Sequence, residues 1–400
     1  MSFCFAFSNL PSRWPLNELK KATQRNAGLM YCALHYELQN AIHAGASIRP
    51  WTSLLRSTWS PRGICLRSLA MLSLAMFAVK SVAEAWDDNL RWTTDLSTRA
   101  QYLTEDAPSQ LGYFNSIGID ANKVFSSGNR DFATLNLQVN LWCIHGLTRR
   151  PALFDGEDDC QVVNKVSTVN FAIRGDGKFN LLVGHPEVPF GLEVPVSTSQ
   201  TVRQLTNNRD IGMKLDWAVG ANGTVGGLHY ATTLSRGSGM EYRSTGDPYA
   251  IAGRIGTATD SESYLGASGA GVSWFYGDVL TRTRTISERW RLALDGVTYY
   301  GPFGFMGQIS AGETDSMDTV NGMTEINVIN RSEVVVSYLQ LRSFNQEFAS
   351  GWQDAWSAVV GTRITPDTHW AVSFQVEREL TTFGSKVEQT ILDVQLRYRF

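Results

Sequence analysis

From residue 89 to the C-terminus the chain alternates between apolar and polar positions. In segment 132 to 144, Ala133, Leu135, Leu137, Val139 and Leu141 fall on one face of a strand, and Thr134, Asn136, Gln138 and Asn140 on the other. Leu90, Trp92, Leu96 and Tyr102 oppose Arg91, Thr93, Asp95, Ser97, Arg99 and Gln101 in the same way. So do Ile211, Met213, Leu215, Trp217 and Val219 against Lys214 and Asp216, and Trp370, Val372, Phe374 and Val376 against Ser373, Gln375 and Glu377. The last strand sets Leu392, Val394, Leu396, Tyr398 and Phe400 against Asp393, Gln395, Arg397 and Arg399. A soluble sandwich turns its apolar faces inward, and its outer faces do not carry rows of Trp and Leu. Both faces are satisfied together when lipid lies outside and water inside, and a closed barrel also removes the sheet edges that would otherwise aggregate. The pattern predicts an all-β protein, a transmembrane antiparallel up-and-down β-barrel.

The spacing gives sixteen strands when counted from Trp86, with fourteen or eighteen if segments 263 to 276 and 322 to 343 are divided differently. Tight turns are expected at 175 to 177, 220 to 223, 299 to 302, 329 to 333 and 365 to 368, where Gly, Pro, Asn and Asp cluster. Longer connections are expected at about 145 to 162, 186 to 208, 234 to 247, 313 to 321, 344 to 352 and 380 to 388. They follow odd strands, which puts both ends of the barrel on the short-turn rim.

Ahead of the barrel lies an export pattern. Arg62 and Arg67 precede an apolar run from Leu69 to Val79, and Ala83-Glu84-Ala85 supplies a small-x-small cleavage site. The run is shorter than the roughly 18 to 20 apolar residues that span a bilayer. Residues 61 to 85 therefore read as a signal peptide cleaved after Ala85, and 86 to 400 as the barrel. Residues 1 to 60 show no sustained period, and are expected to be an upstream extension from an early start codon or a disordered leader.

This division changes the charge. Nine of the 35 basic and three of the 38 acidic residues precede Trp86, which leaves the barrel 26 basic, 35 acidic and a formal charge of about -9. That balance excludes a polybasic nucleic-acid binder. Cys4, Cys32 and Cys65 fall in the discarded part, so Cys143 and Cys160 remain as an even pair in an oxidising compartment, expected to form a disulfide across the connection after strand three. No Cys-x-x-Cys-His occurs, the six histidines have no ligand spacing, and no nucleophile, base and orienter come together. The acidic run 154 to 159 reads as a solvated loop tip rather than a Ca²⁺ site, and Gly266 to Gly271 as small residues packed in a strand. No cofactor, metal or catalytic site is expected.

The stretch Gly184-His-Pro-Glu-Val-Pro-Phe-Gly-Leu-Glu-Val-Pro195 cannot pair regularly because of its prolines and glycines, and it is too apolar to extend into solvent. Pro186 to Asn208 is expected to fold into the lumen, with Glu187, Pro189, Phe190, Gly191 and Glu193 at a constriction; an ordinary external loop is the alternative. By alternation Arg91, Arg99, Arg174, Lys214, Arg254, Arg289, Arg291 and Arg363 face the lumen, with Arg282 and Arg284 on one face just before strand ten. Such cations attract anions. Asp95, Asp216, Asp295, Glu325, Glu377 and Asp393 face the same way and oppose them.

Several short motifs carry a family resemblance. Pro-Phe-Gly-Leu-Glu at 189 to 193, Gly253-Arg254 within Tyr-Ala-Ile-Ala-Gly-Arg-Ile-Gly, Gly-Pro-Phe at 301 to 303 and the terminal Arg-Tyr-Arg-Phe resemble the phosphate- and polyphosphate-selective porins, in order, over most of 86 to 400. The terminal strand, with Tyr398 and Phe400, resembles the closing strand that the bacterial barrel assembly machinery reads. The resemblance implies a passive sixteen-stranded pore in the bacterial outer membrane, surrounded by lipid and lipopolysaccharide and usually trimeric. It would admit small hydrophilic solutes or ions with a phosphate-like anion preference, and would not be an enzyme. Two other functions remain open: a barrel sheathing a multihaem cytochrome as an electron conduit, and an outer-membrane enzyme such as a protease or lipase.

Overall fold

The computed structural model describes residues 89–104, 110–147, 159–196, 198, 201–242, 246–257, 268–281, 283–330, 332, 334–384 and 388–400. The expected leader, signal peptide and Ala85 cleavage site lie outside the described residues, as do Arg282 and nearly all of the acidic run 154 to 159.

The chain forms a closed antiparallel barrel of sixteen strands. They are β1 (Leu90–Thr104), β2 (Gln110–Ser127), β3 (Arg130–His145), β4 (Cys160–Phe171), β5 (Asn180–His185), β6 (Ala218–Val225), β7 (Leu228–Ser235), β8 (Ala250–Thr257), β9 (Gly269–Leu280), β10 (Ile286–Tyr300), β11 (Phe303–Thr314), β12 (Met317–Ile329), β13 (Val335–Phe348), β14 (Gly351–Ile364), β15 (Trp370–Glu379) and β16 (Thr390–Arg399). Each strand pairs with its neighbours in sequence, and β16 closes on β1 with Leu96 opposite Tyr398 and Tyr102 opposite Leu392.

The period of two decides which side chains meet lipid. Along β10, Leu292 and Leu294 are 57% and 59% exposed on the outside, while Arg291, Ala293 and Asp295 between them are buried inside. Exposed apolar side chains form a band around the barrel, and bulky aromatics edge it at both rims. Phe132, Phe171, Tyr300, Phe303 and Trp370 lie toward the rim of the chain ends, and Tyr113, Tyr249, Tyr276, Trp290, Trp352 and Trp356 toward the other. An outward apolar band between two aromatic girdles is the surface of a membrane barrel.

Four local expectations differ from the structure. Residues 211 to 217 are not a strand; β6 starts at Ala218, and Ile211, Met213 and Leu215 are buried. Residues 220 to 223 are not a turn but the middle of β6. A Cβ on Gly220 would sit 2.4 Å from the Thr232 carbonyl oxygen, so the glycine serves close strand approach, and the chain reverses at Gly226-Gly227 instead. The connections expected over 313 to 321 and 344 to 352 shrink to Asp315-Ser316 and to 349 to 350. Asp315 and Ser316 both take positive φ, 50° and 63°, which makes the two-residue reversal a polar stretch had disguised as a loop.

Candidate pore and its lining

The connection between β5 and β6, residues 186 to 217, leaves the rim opposite the chain ends and enters the barrel. A short antiparallel neck starts it: the Val188 N–H donates to the Lys214 carbonyl at 2.9 Å, the Asp216 N–H to that of Pro186 at 3.2 Å, and Glu187 bridges Leu215. Beyond the neck lie a 3-10 turn (Gly191–Glu193) and a single helical turn, α1 (Asn207–Asp210).

Apolar burial holds the segment against the wall. Val188, Phe190, Ile211 and Met213 pack on Ala250 and Ala252 of β8, Phe275 and Val279 of β9 and Ala293 of β10. Leu192, Val196 and Leu205 pack on Val297, Met306 and Met323 of β10, β11 and β12. Phe190, Leu192 and Ile211 are 0% exposed, and side chains so buried contribute about 1.5–3 kcal/mol each. The inner wall under the segment therefore carries apolar side chains as well as polar ones.

Polar contacts fix the register of the segment on the wall. The Gly191 and Leu192 N–H groups donate to Ser273 Oγ at 2.9 Å and Gln308 Oε1 at 2.8 Å. Asp210 accepts from Gln308 Nε2, Ser310 Oγ and Asn321 Nδ2 at 2.9, 2.9 and 2.6 Å. Arg203 clasps Glu325 with two bonds of 2.9 and 2.7 Å, and Arg342 Nη2 donates to the Gln204 carbonyl at 2.8 Å. Gly191 is needed here. Its φ is +56°, and a Cβ would lie 2.1 Å from Gln308 Oε1.

The residues expected at the constriction lie in this segment. Pro189, Phe190, Gly191 and Glu193 are buried and Glu187 is half-buried. Glu193 pairs with Lys214 at 2.7 Å, and Lys214 also donates to Thr198 Oγ1 at 2.5 Å.

The expected basic lining divides. Arg254 is held by Asp295 through bonds of 3.0 and 2.5 Å. Arg99 stands 3.8 Å from Asp393 and over the Phe114 ring. Arg291 is 2% exposed and donates to the Trp290 carbonyl at 2.7 Å, to the Glu313 carbonyl and to Thr314 Oγ1 at 2.5 Å, so it braces the wall. Arg289 is half-buried, with Nε 3.3 Å from Ser287 Oγ. Arg363 is half-buried on the inner face of β14 and makes no hydrogen bond or ion pair among the described residues. One placement differs from expectation: Arg174 sits exposed on the β4–β5 connection, 3.9 Å from Asp176, because the strand ends at Phe171. Arg91 pairs in register with Asn122 and shares the face of Asp95 and Arg99, but is exposed because it stands at the start of β1. Arg284 lies just before β10, in the β9–β10 turn.

Other charged groups went unnoticed in the sequence. Lys165 is the extra residue of a bulge between β3 and β4, where Gln138 faces Val166 but Val139 faces Asn164. The bulge breaks the alternation and places Lys165 in the field of Lys214, Asp120 and Glu187. Arg203 and Asp210 sit in a segment with no period to read. Cys143 and Cys160 face each other in the β3–β4 register and are joined by a disulfide.

No family model matches the chain, and no curated protein matches it. Solved structures similar in fold include OprB of Pseudomonas putida, with TM-score 0.60 and 8% identity over 80% of this chain and 96% of that one. A loop L8 deletion mutant of OmpT, an outer membrane protein of Vibrio cholerae, has TM-score 0.55 and 13% identity over 78% and 99%. An anion-selective porin from Comamonas acidovorans has TM-score 0.54 and 14% identity over 78% and 99%. At these identities the likeness is one of fold, the porin-type barrel, and it does not single out the phosphate-selective family.

Proposed function

We propose that the chain is a bacterial outer-membrane porin through which small hydrophilic solutes diffuse passively. The observation that carries the reading is a closed barrel with a lipid-facing exterior, a charged inner face and one long segment folded against the inside wall. A wall that only had to be stable would not need that many interior charges, each costly to bury. Export through the 61 to 85 signal, insertion by machinery reading Tyr398 and Phe400, and a homotrimer within lipid and lipopolysaccharide complete the proposal.

The pore would be weakly anion-preferring, and phosphate-like anions are the finer expectation. Most inner arginines are matched by carboxylates: Arg254 by Asp295, Arg99 by Asp393, Arg203 by Glu325, Arg397 by Asp95. The net field is therefore modest. Among the described residues Arg363 has no carboxylate within ion-pair distance, which favours anions.

The test is conductance of the purified barrel in a planar bilayer under a KCl gradient. Steady steps with a reversal potential displaced toward chloride are expected; absence of any conductance would overturn the reading. The electron-conduit alternative needs an open lumen for a cytochrome, and the segment 186 to 217 occupies part of that space.

A further inference from the structure

Besides its bonds to the wall, the inward segment is tied to the external rim, the one opposite the chain ends. At the neck Asp216 accepts from the Gly237 N–H at 2.5 Å and from Ser238 Oγ at 3.3 Å, both in the β7–β8 connection. At the far end Arg209, on α1, lies with Cζ 3.9 Å from the centre of the Phe344 ring and 5.4 Å from that of Phe383. Phe344 is on the inner face of β13, opposite Asn321 in register, and Phe383 belongs to the β15–β16 connection. Phe383 in turn meets Phe348, the last residue of β13, with ring centres 5.8 Å apart.

The start of that connection is itself held in place. The Leu380 N–H donates to the Trp356 carbonyl at 2.8 Å, Thr381 Oγ1 to Asp354 at 3.1 Å and the Gly384 N–H to Gln353 Oε1 at 3.0 Å. Residues 380 to 384 therefore run on against β14, and through Phe383 they reach the segment.

Neighbouring residues of one helical turn thus hold the segment in different ways. Asp210 is buried and accepts from Gln308, Ser310 and Asn321 on the wall, whereas Arg209 is exposed and lies on ring faces. A buried carboxylate with its bonds made keeps its place, because breaking them leaves a charge without partners in a medium of low dielectric. A cation over rings at an exposed site is held by a modest attraction, and water replaces the rings at little cost. Asp210 is a fixed anchor, and Arg209 a catch that releases first. We infer that Arg209 is a positioning residue: through Phe383 it couples the β15–β16 part of the external rim to the inward segment, so that a disturbance of that rim changes the width of the passage. The inference rests on the channel reading above and adds a point of regulation to it.

Single-channel recordings of the full-length barrel in planar bilayers test it. Arg209→Gln and Phe383→Ala should each raise open-channel noise and brief closures several-fold, and the double variant no more than either alone, because both remove the same contact. Arg209→Lys keeps the charge without the planar group that stacks on rings, so it should hold the native reversal potential and still be noisy. In a Thr382→Cys barrel a bulky maleimide added on the external side should change the current several-fold; with Arg209→Gln also present, the same label should have little effect. Should Phe383→Ala not assemble, as read by heat-modifiable migration, Phe383→Leu serves the same comparison, since it keeps the bulk and loses the ring. Variants as quiet as the native barrel, additive effects, or a label that acts equally with and without Arg209 would overturn the coupling and leave the channel standing. A native barrel that passes no ions would remove the channel, and the coupling with it.

Discussion

The main chain of Phe400 exchanges two hydrogen bonds with Thr94, Thr94 N to Phe400 O at 2.8 Å and Phe400 N to Thr94 O at 3.0 Å. The C-terminal residue thus belongs to the seam that closes the barrel. Its ring stacks 5.6 Å from Tyr398, whose own ring lies 4.5 Å from Trp370 on β15. Deleting Phe400 removes both bonds and the outer ring of this cluster. Outer-membrane levels and heat-modifiable migration should fall sharply, whereas the molecules that do assemble should conduct normally.

Deleting Glu187 to Val196 removes the stretch that carries Phe190 and Leu192 into the wall. Single-channel current should rise several-fold and selectivity fall. Gly191→Val is the milder version: it sets a Cβ against Gln308 and forces a left-handed φ on a β-branched residue, so it should give noisy, partly opened channels. Current unchanged by the deletion would place the narrowest section elsewhere.

Arg289 and Arg291 should separate on replacement by alanine. Arg291 is spent on wall oxygens, and hydrogen bonds from a charged group are worth about 1.5–3 kcal/mol. Arg291→Ala should lower the unfolding temperature more than it alters selectivity. Arg289→Ala should move the reversal potential toward cations, by an amount that shrinks at high salt as screening shortens the field. Reversal potentials and thermal unfolding measured on both variants would reveal the opposite order if it held.

Burial pushes the Glu187 carboxyl above the ordinary carboxylate range; Glu193 adds to the rise, and Lys214 and Lys165 oppose it. As pH falls, Glu187 should therefore take up its proton earlier than an exposed carboxylate does. The lumen then loses a negative charge, and the reversal potential should move toward anions in mild acid. Glu187→Gln should start from the more anion-selective value and lack that step; the same titration in both proteins would show the step to have another source.

Cys143 and Cys160 join strands that already face each other in register, with a sequence separation of 17. Closing a loop of that length is worth roughly 3 kcal/mol at most. The loss in Cys143→Ser should be felt locally, near the β3–β4 end, with little change in barrel unfolding. Thiol reagents should label neither cysteine of the native protein before reduction.

How far the sequence reached depends on the range of the interactions involved. The two-residue period of β15 and β16 settles which side chains face out, because alternation is a property of each strand alone: Phe374 and Val376 are exposed to lipid, and Ser373, Gln375 and Glu377 are buried. Strand number and the rim of the chain ends follow from those strands and their turns. The same local signal misplaced Ile211, Met213 and Leu215. Their alternation would suit a lipid-facing strand, yet Ile211 and Met213 are taken up by Phe275, Val279 and small Ala250, Ala252 and Ala293 on strands far along the chain. The fate of each charge was equally hidden. Arg397 meets Asp95 across 302 positions and Arg203 meets Glu325 across 122, whereas Arg363 makes no hydrogen bond or ion pair among the described residues. Periodicity fixes the face a side chain takes, while only closure of the barrel brings the distant groups together that decide whether its charge is spent or free.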